Sequence, residues 1–113
     1  MARFTRRARL LKPDEFKFVF ENGRREHTPH FTAVAAGNST GQPRLGLAIA
    51  KKSIALASDR NRVKRQIRES FRNHQDQLPD VDIVLLAKTA VLSETHAQIR
   101  QQLERLWTRL AAR

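Results

Sequence analysis

The sequence predicts an α+β fold, an α/β sandwich whose elements follow the order α-β-β-β-α-β-α around a mixed four-stranded sheet. Three observations predict it. Apolar residues recur at helical spacing in three separate segments. Three short β-prone segments lie between the first two helices, and a nearly continuous apolar run at 81–87 is typical of a strand buried on both faces. A sheet with helices packed against it lets each of these elements bury its apolar side.

The first helix is predicted over residues 13–22. Pro13 suits the first position of a helix, because proline has no N–H to leave unpaired there. Asp14 and Glu15 lie in the first turn, where the helix dipole favours acidic side chains. Gly23 is a suitable C-terminal stop.

The strands are predicted at 24–27, 31–36, 44–50 and 81–87. The segment at 37–43 is rich in Gly, Asn, Ser and Pro, which is typical of a loop. Between the third and fourth strands we expect a long helix that is capped by Ser58 or a neighbour and runs to about residue 77.

The last helix is predicted after Ser93, whose hydroxyl is a suitable N-terminal cap. An apolar stripe at helical spacing predicts the side that faces the core. The residues of this stripe are Ile99, Leu103, Leu106, Trp107 and Leu110.

Charge is the strongest guide to function. The 22 Lys and Arg residues oppose 11 Asp and Glu, so the formal net charge is +11 and the isoelectric point is near 11.5. Such a balance is the electrostatic signature of a nucleic-acid-binding protein. Residues 1–12 carry five basic residues and no acid, so we expect a basic N-terminal arm followed by a single RNA-binding domain at 13–113.

The basic residues concentrate in the long second helix and the turn before it. Residues 51–72 hold eight Lys or Arg and two acids, a net charge of +6 in 22 residues. At 100° per residue, Val63, Ile67 and Phe71 fall on one side of the helix. The opposite side and its flanks carry polar and basic residues, namely Asn61, Arg62, Lys64, Arg65, Arg68 and Arg72. A polyanion is the natural partner of that side.

The residues needed for catalysis by the protein itself are scarce. The chain has no Cys, which excludes disulfides and thiolate metal sites. His27 and His30 lie in a loop without a carboxylate cluster, so we interpret them as surface histidines. Asp80 and Asp82 leave open a metal-dependent nuclease, although such a centre needs more converging carboxylates. We therefore predict no catalytic residue, no metal site and no protein-bound cofactor.

Aromatic and basic residues also suggest a binding groove. Phe16 and Phe20 share one face of the first helix, next to the β-rich region, and Phe18 points roughly the other way. Phe16 and Phe20 either stack nucleic-acid bases, as in single-strand binders, or belong to the core. Lys51 and Lys52 follow the third strand directly, close to the start of the basic helix, and would suit an anion.

Four segments carry a resemblance to a known family. They are RNRVKRQIRESFR at 60–72, RLGLAIAKK at 44–52, LLKPDEF at 10–16 and DIVLLAK at 82–88. Together they resemble the protein subunit of bacterial ribonuclease P, and the resemblance covers nearly the whole chain. It implies a left-handed β-α-β crossover through the basic helix, against the usual handedness of such connections.

The resemblance also implies partners and binding residues. The family's protein assists a catalytic RNA that removes the 5′ leader of precursor tRNA, with Mg²⁺ held through the RNA and the substrate. The residues expected to bind the RNA subunit are Arg60, Asn61, Arg62, Lys64, Arg65, Arg68 and Arg72. The residues expected in the leader-binding cleft are Phe16, Phe20, Lys51, Lys52 and Lys88. One departure is that residues 32–36 offer no aromatic side chain on the second strand.

Alternatives remain at this point. A ribosomal-type protein or a general RNA chaperone would use the same basic surface without a dedicated cleft.

No apolar run approaches the length of a membrane span, and the N-terminus lacks the apolar segment of a secretory signal. We therefore expect a cytoplasmic protein with no membrane partner and no obligate protein partner.

Overall fold

One sheet carries two helices on one face and a single helix on the other. The computed structural model describes residues 8–112. The helices are α1 Pro13–Asn22, α2 Ala57–His74 and α3 His96–Ala111. The strands are β1 Arg24–His27, β2 Phe31–Gly37, β3 Arg44–Leu47 and β4 Val81–Ala87. Short 3₁₀ helices occupy Gln75–Gln77 and Thr89–Ser93.

The sheet is mixed, with the spatial order β1-β2-β4-β3. Strand β2 pairs antiparallel with both β1 and β4, whereas β3 and β4 are parallel neighbours joined through α2. The predicted fold class, element order and four-stranded mixed sheet are confirmed. The left-handedness of the β3-α2-β4 crossover stays a prediction of the resemblance.

The larger core lies between the sheet and the helices α2 and α3. Their apolar stripes pack on alternate residues of β2, β3 and β4. Phe71 of α2 and Trp107 of α3 meet edge to face, with ring centroids 5.8 Å apart and planes at 70°. Trp107 Nε1 donates a hydrogen bond to Ser70 Oγ at 2.8 Å, so the only indole N–H is satisfied within the core. These contacts fix the orientation of α2 about its own axis.

The opposite face of the sheet is covered by α1 alone. A smaller cluster forms there from Val19 of α1 with Val34 and Val84 of the sheet. Gly23 joins α1 to β1 and lies so close that an added Cβ would be 2.6 Å from the Val19 carbonyl oxygen. Because one ten-residue helix cannot cover four strands, part of this face is left half-exposed.

Several predicted boundaries are wrong by a few residues. Strand β3 ends at Leu47, although Ala48 N still donates to the Leu85 carbonyl at 2.9 Å. Ser58 lies inside α2, which begins after Leu56 and has no side-chain cap. The helix ends at His74, and residues 75–77 continue as a tighter 3₁₀ turn.

The predicted cap of the last helix is also wrong. Ser93 ends a 3₁₀ helix, and Thr95 caps α3 instead. Gln98 N donates to Thr95 Oγ1 at 3.1 Å, and Thr95 N donates to Gln98 Oε1 at 2.9 Å. This reciprocal pair satisfies two backbone donors at once, which a serine two residues earlier cannot do.

The N-terminal arm predicted at 1–12 is partly packed on the domain. Its first seven residues lie outside the described part of the chain. Ala8 and Leu10 are buried, and Leu10 N donates to the Leu45 carbonyl at 3.0 Å. Residues 8–10 therefore run beside β3 as part of the folded unit. No helix within residues 8–112 combines the length and the apolar character that a membrane crossing needs.

Candidate nucleic-acid interface

The outer side of α2 forms the first candidate surface. Its periodicity buries Val63, Ile67 and Phe71 and turns the intervening residues outward. We call this surface the basic face of α2, and it consists of Asn61, Lys64, Arg65, Arg68 and Arg72. All of them are exposed except Lys64, which is half-buried. The face therefore presents four cationic side chains within about three turns.

Of the two acids of α2, Asp59 lies away from this face and the exposed Glu69 borders it. Asp59 forms an ion pair with Arg62 at 3.5 Å, and Glu69 lines the groove between α2 and α3. Desolvation by partial burial lowers the pKa of Arg68, and the positive charge of nearby Arg9 lowers it further. Like charges are thus gathered on the basic face, and a bound polyanion would relieve their repulsion.

Two of the predicted docking residues are placed differently. Arg60 falls on the buried side of the helix, and its Nη1 donates to the carbonyls of Ile54 and Ala55 at 2.9 and 2.8 Å. It therefore ties the preceding loop to the start of α2. Arg62 is exposed but pairs with Asp59 on the side that faces α3. Neither side chain belongs to the basic face, and a direct role for them in docking stays a prediction.

The second candidate surface is a cleft on the face that α1 leaves partly open. Strand alternation and register place Thr32 and Leu86 opposite each other on this face, and Ala48 follows β3 beside them. All three are half-buried and form the floor. Phe16 and Phe20 of α1 form one wall. We call this region the cleft.

The three phenylalanines of α1 have different surroundings. Phe16 packs over Gly46, where an added Cβ would lie 2.7 Å from its Cζ. Phe20 is 37% exposed beside it and is the side chain most available to a base. Phe18 is 51% exposed but lies on the far side of the helix, nearer Asp14 than the cleft. An aromatic ring beside an acid is a poor site for a polyanion.

The three predicted cleft lysines gather at one end of the sheet. Lys51 and Lys52 lie in the turn after β3, and Lys88 follows β4, so all three stand beyond the carboxyl ends of parallel strands. Thr89 Oγ1 donates to the Ser53 carbonyl and holds the two segments together. The lysines are exposed. They give the cleft a positively charged end.

Sequence reasoning missed the opposite edge of the cleft. Register pairs Arg25 with Val34 and His27 with Thr32, which places both β1 side chains on the cleft face. They are exposed, and His27 Nδ1 lies 3.1 Å from Thr32 Oγ1. Alternation along β1 would have indicated that Arg25 and His27 share a face. Only the strand pairing shows that this is the face of the cleft.

The expectation that His30 is a surface histidine is wrong. Its ring is largely buried between α3 and the segment before it. Its Nε2 lies 3.2 Å from Glu94 Oε1, and its Nδ1 lies 2.8 Å from Gln102 Nε2. Gln102 Oε1 also accepts from Thr28 Oγ1 and from His30 N, both at 3.0 Å. The side chain therefore fastens the β1–β2 turn to α3.

A charged network ties α1 to the sheet at one end of the cleft wall. Glu15 Oε1 accepts from the backbone N–H groups of Leu11 and Lys12 at 2.9 Å each. Its Oε2 accepts from Arg44 Nη1 at 3.1 Å. Arg44 in turn donates from Nε and Nη2 to the two carboxylate oxygens of Asp82, at 2.8 and 2.7 Å. This fork is the bidentate geometry that arginine and carboxylate favour.

The pKa values of the network follow its geometry. The backbone N–H of Lys12 has the largest effect and lowers the pKa of Glu15. Burial, the next largest, opposes it, and the Leu11 N–H and then Arg44 lower the pKa further. The hydrogen bond to Asp82 raises the pKa of Arg44. Glu15 and Arg44 are therefore both charged at neutral pH.

The same network argues against a metal-dependent nuclease. Asp82 is 5% exposed, and both of its oxygens accept from Arg44, with a further bond from Asn38 Nδ2 at 2.7 Å. Both oxygens of Asp82 therefore already accept hydrogen bonds within the fold, three in all. No group of three or more His, Asp or Glu suited to a metal occurs within residues 8–112.

The fold and these two surfaces define a class of protein. It is a small, strongly basic α+β RNA-binding domain with one guanidinium-rich helix and a separate aromatic and basic cleft.

Comparisons with known proteins define the family. The ribonuclease P family model matches residues 4–111. A ribonuclease P protein component from Pseudoalteromonas atlantica is 44% identical over 97% of this chain and 92% of its own length. One from Aliivibrio fischeri is 46% identical over 96% of this chain and 92% of its own.

Solved structures agree. A Staphylococcus aureus RNase P protein superposes with a TM-score of 0.84 at 28% identity, over 93% of this chain and 95% of that one. A Thermotoga maritima RNase P protein gives 0.80 at 26% identity, over 89% of this chain and 96% of that one. The chain belongs to the ribonuclease P protein family. Membership assigns it to tRNA processing, as an RNA-binding component of a ribonucleoprotein nuclease.

Proposed function

We propose that the chain binds two RNAs at once within the ribonuclease P particle. The basic face of α2 docks on the RNA subunit, and the cleft holds the single-stranded 5′ leader of precursor tRNA. The observation that carries this proposal is the arrangement of the layers. Helix α2 packs on one face of the sheet, whereas the cleft opens on the other. Two polyanions can therefore be held without competing for the same residues.

Phosphate contacts supply the docking energy at the basic face. Arg65, Arg68 and Arg72 present planar forks that suit phosphate oxygens. Glu69, the acid nearest to them, borders the groove towards α3. A helix surface of this kind suits recognition of a folded RNA by shape and backbone rather than by base sequence.

Stacking and charge supply the binding energy in the cleft. A leader varies in sequence, so its site has to accept any base, and a base stacked on an aromatic ring contributes about 1–3 kcal/mol whatever its identity. Phe20 offers the exposed ring, and the lysines at the end of the sheet attract the leader phosphates. The second strand contributes Thr32 and Val34 rather than an aromatic, so stacking depends mainly on α1.

We propose that the chemistry belongs to the RNA partner. In this account the RNA subunit and the substrate hold the Mg²⁺ ions that cleavage uses, and the protein raises the affinity for precursor tRNA. Its carboxylates support this division, because Asp82 and Glu15 are committed to Arg44. The particle would act in the cytoplasm and would need no further protein partner.

Reconstitution with a bacterial ribonuclease P RNA at low Mg²⁺ tests the proposal. The particle should bind precursor tRNA carrying a leader of several nucleotides more tightly than mature tRNA. Phe20→Ala should reduce that preference by the energy of about one stacked base, 1–3 kcal/mol. Phe18→Ala is the control from the same helix, since it removes a ring that is also exposed but lies outside the cleft.

A general RNA chaperone predicts a different outcome. Such a protein would bind precursor and mature tRNA about equally, and both phenylalanine variants would behave alike. Equal affinities with the wild-type protein would therefore contradict the leader cleft. Precursor cleavage by an RNA-free preparation would contradict the division of the chemistry.

A further inference from the structure

We propose that the network Glu15–Arg44–Asp82 is a positioning device for the cleft. It fixes the N-terminal end of α1 to β3 and β4, and so holds Phe16 and Phe20 where a leader base can stack over the floor. The three residues touch no leader themselves in this account. The inference rests on the proposed function of the cleft and names residues that set its geometry.

Helix α1 needs such a device because its own packing is slight. The helix has ten residues, and Val19 is the only one of them that is buried. Isolated helices of this length are marginal in water, so contacts with the sheet must hold it. Val19 and the partly buried Phe16, which packs over Gly46, restrain the distance of the helix from the sheet, and contacts at the two ends of the helix restrain its tilt further.

Two anchors at the ends of α1 together fix that tilt. At the C-terminal end, Gly23 N donates to the Val19 carbonyl at 2.7 Å, and Gly23 lies directly over Val34 and Ala35. At the N-terminal end, Glu15 ties the first turn to Arg44. Both cleft phenylalanines lie between these anchors. Loss of the N-terminal anchor would therefore let their rings move relative to the floor.

The arrangement of charges favours positioning over stability as the role of the network. A buried ion pair often contributes little net stability compared with apolar residues of the same size, because its desolvation is costly. It does impose a defined geometry, since arginine must place its donors on both carboxylates at once. Arg44 donates hydrogen bonds to both Asp82 and Glu15 from one planar guanidinium group, so it holds α1, β3 and β4 in a single relative orientation.

The closing experiment compares Glu15→Gln with Asp14→Asn in the reconstituted particle. Both substitutions remove one negative charge from the first turn of α1, so their general electrostatic effects on RNA binding match. Asp14 is exposed and lies outside the network. Two quantities are measured for each variant. The first is its affinity for the RNA subunit, and the second is the ratio of the particle's affinities for precursor and mature tRNA.

We expect Glu15→Gln to reduce the precursor-to-mature ratio by about five-fold or more, the equivalent of one stacked base. Its affinity for the RNA subunit should equal that of Asp14→Asn. Asp14→Asn should keep the wild-type ratio. The positioning role would be overturned if Glu15→Gln left the precursor-to-mature ratio unchanged. It would also be overturned if the variant lost affinity for the RNA subunit by the same factor as it lost preference for precursor tRNA.

A double-variant cycle separates positioning from general destabilisation. In the Phe20→Ala background, Glu15→Gln should reduce the precursor-to-mature ratio by a smaller factor than it does in the wild type, because the more exposed of the two rings that the network positions is absent. Full additivity would contradict the inference. Glu15→Gln keeps the side chain's size and one acceptor for the N–H groups of Leu11 and Lys12, so the variant weakens the bond to Arg44 with little other change.

The failure of the inference can be distinguished from that of the proposed function. If the wild-type particle shows no leader preference, the cleft proposal itself fails. If the wild type shows the preference and Phe20→Ala reduces it, but Glu15→Gln does not, only the positioning role fails.

Discussion

At the scale of single residues, the position of Phe16 depends on the missing side chain of Gly46. An added Cβ would lie 2.7 Å from Phe16 Cζ and 3.0 Å from Leu10 Cβ, both closer than van der Waals contact. We expect Gly46→Ala to displace the Phe16 ring and to lower the free energy of unfolding by about 1–3 kcal/mol, as overpacking does. Urea unfolding followed by circular dichroism measures this change.

Gly37→Ala is the matched control for that substitution. Gly37 also lies in a strand of the sheet, but an added Cβ there would meet no atom within 4 Å. Its unfolding free energy should stay close to that of the wild type. Equal losses in the two variants would contradict the role given to Gly46.

Glu15 also contributes to the acid dependence of stability. The pKa of Glu15 is lower in the folded chain than its ordinary value of 4.5, through the Lys12 N–H group first and Arg44 among the further causes. The contribution of the ionised Glu15 to the free energy of unfolding is therefore complete above about pH 4.5. It is lost as the pH falls through the lowered pKa of the folded chain. Urea unfolding of the wild type and Glu15→Gln between pH 7 and 3 should show a stability difference that shrinks with acid. A difference that grows instead would contradict this sign.

At the scale of elements, one side of α2 packs on the core and the opposite side forms the basic face. We expect Arg68→Ala to weaken binding to the RNA subunit and to lower the slope of log affinity against log salt by about one unit per lost phosphate contact. Arg62→Ala removes the same charge from the same helix, but its partner is Asp59 rather than the proposed RNA. It should change the slope much less. An unchanged slope in Arg68→Ala would count against the basic face as the docking surface.

The elements show how far local sequence signals reach. Pro13, the acids after it and Gly23 were enough to predict α1 with its observed bounds, because these signals act within one or two turns. The sequence signals indicate Ser93 rather than Thr95 as the cap of α3. The two hydroxyls can be told apart only from the 3₁₀ helix at Thr89–Ser93, which places Thr95 at the start of α3. The resemblance to the family implies that Arg60 binds the RNA subunit, whereas its bonds to the carbonyls of the preceding loop depend on a chain path that the sequence does not show.

At the scale of the whole molecule, the uneven covering of the sheet produces the candidate sites. Two helices seal one face and leave the outer side of α2 free, and one short helix leaves a cleft on the other. Both candidate surfaces thus follow from the layer arrangement. The resemblance to the family predicted the cleft but not its β1 edge, because Arg25 and His27 reach it only through the pairing of β1 with β2.

Long-range contacts explain what the sequence could not predict at this scale. Arg44 and Asp82 are 38 residues apart, and no periodic signal links them; Asp82 was instead considered as a nuclease ligand. The partly buried His30 depends in the same way on Gln102, 72 residues further along the chain. Such pairings arise from strand order and register, which local patterns leave open.

The most direct test of the account maps which RNA each surface touches. The chain has no cysteine, so a single introduced thiol can carry a photo-crosslinker at a chosen site. In the particle reconstituted with precursor tRNA, a probe on Lys88→Cys should attach to leader nucleotides, and a probe on Arg72→Cys should attach to the RNA subunit. The account would be contradicted if both probes attached to the same RNA, or if the Lys88→Cys probe reached only the RNA subunit.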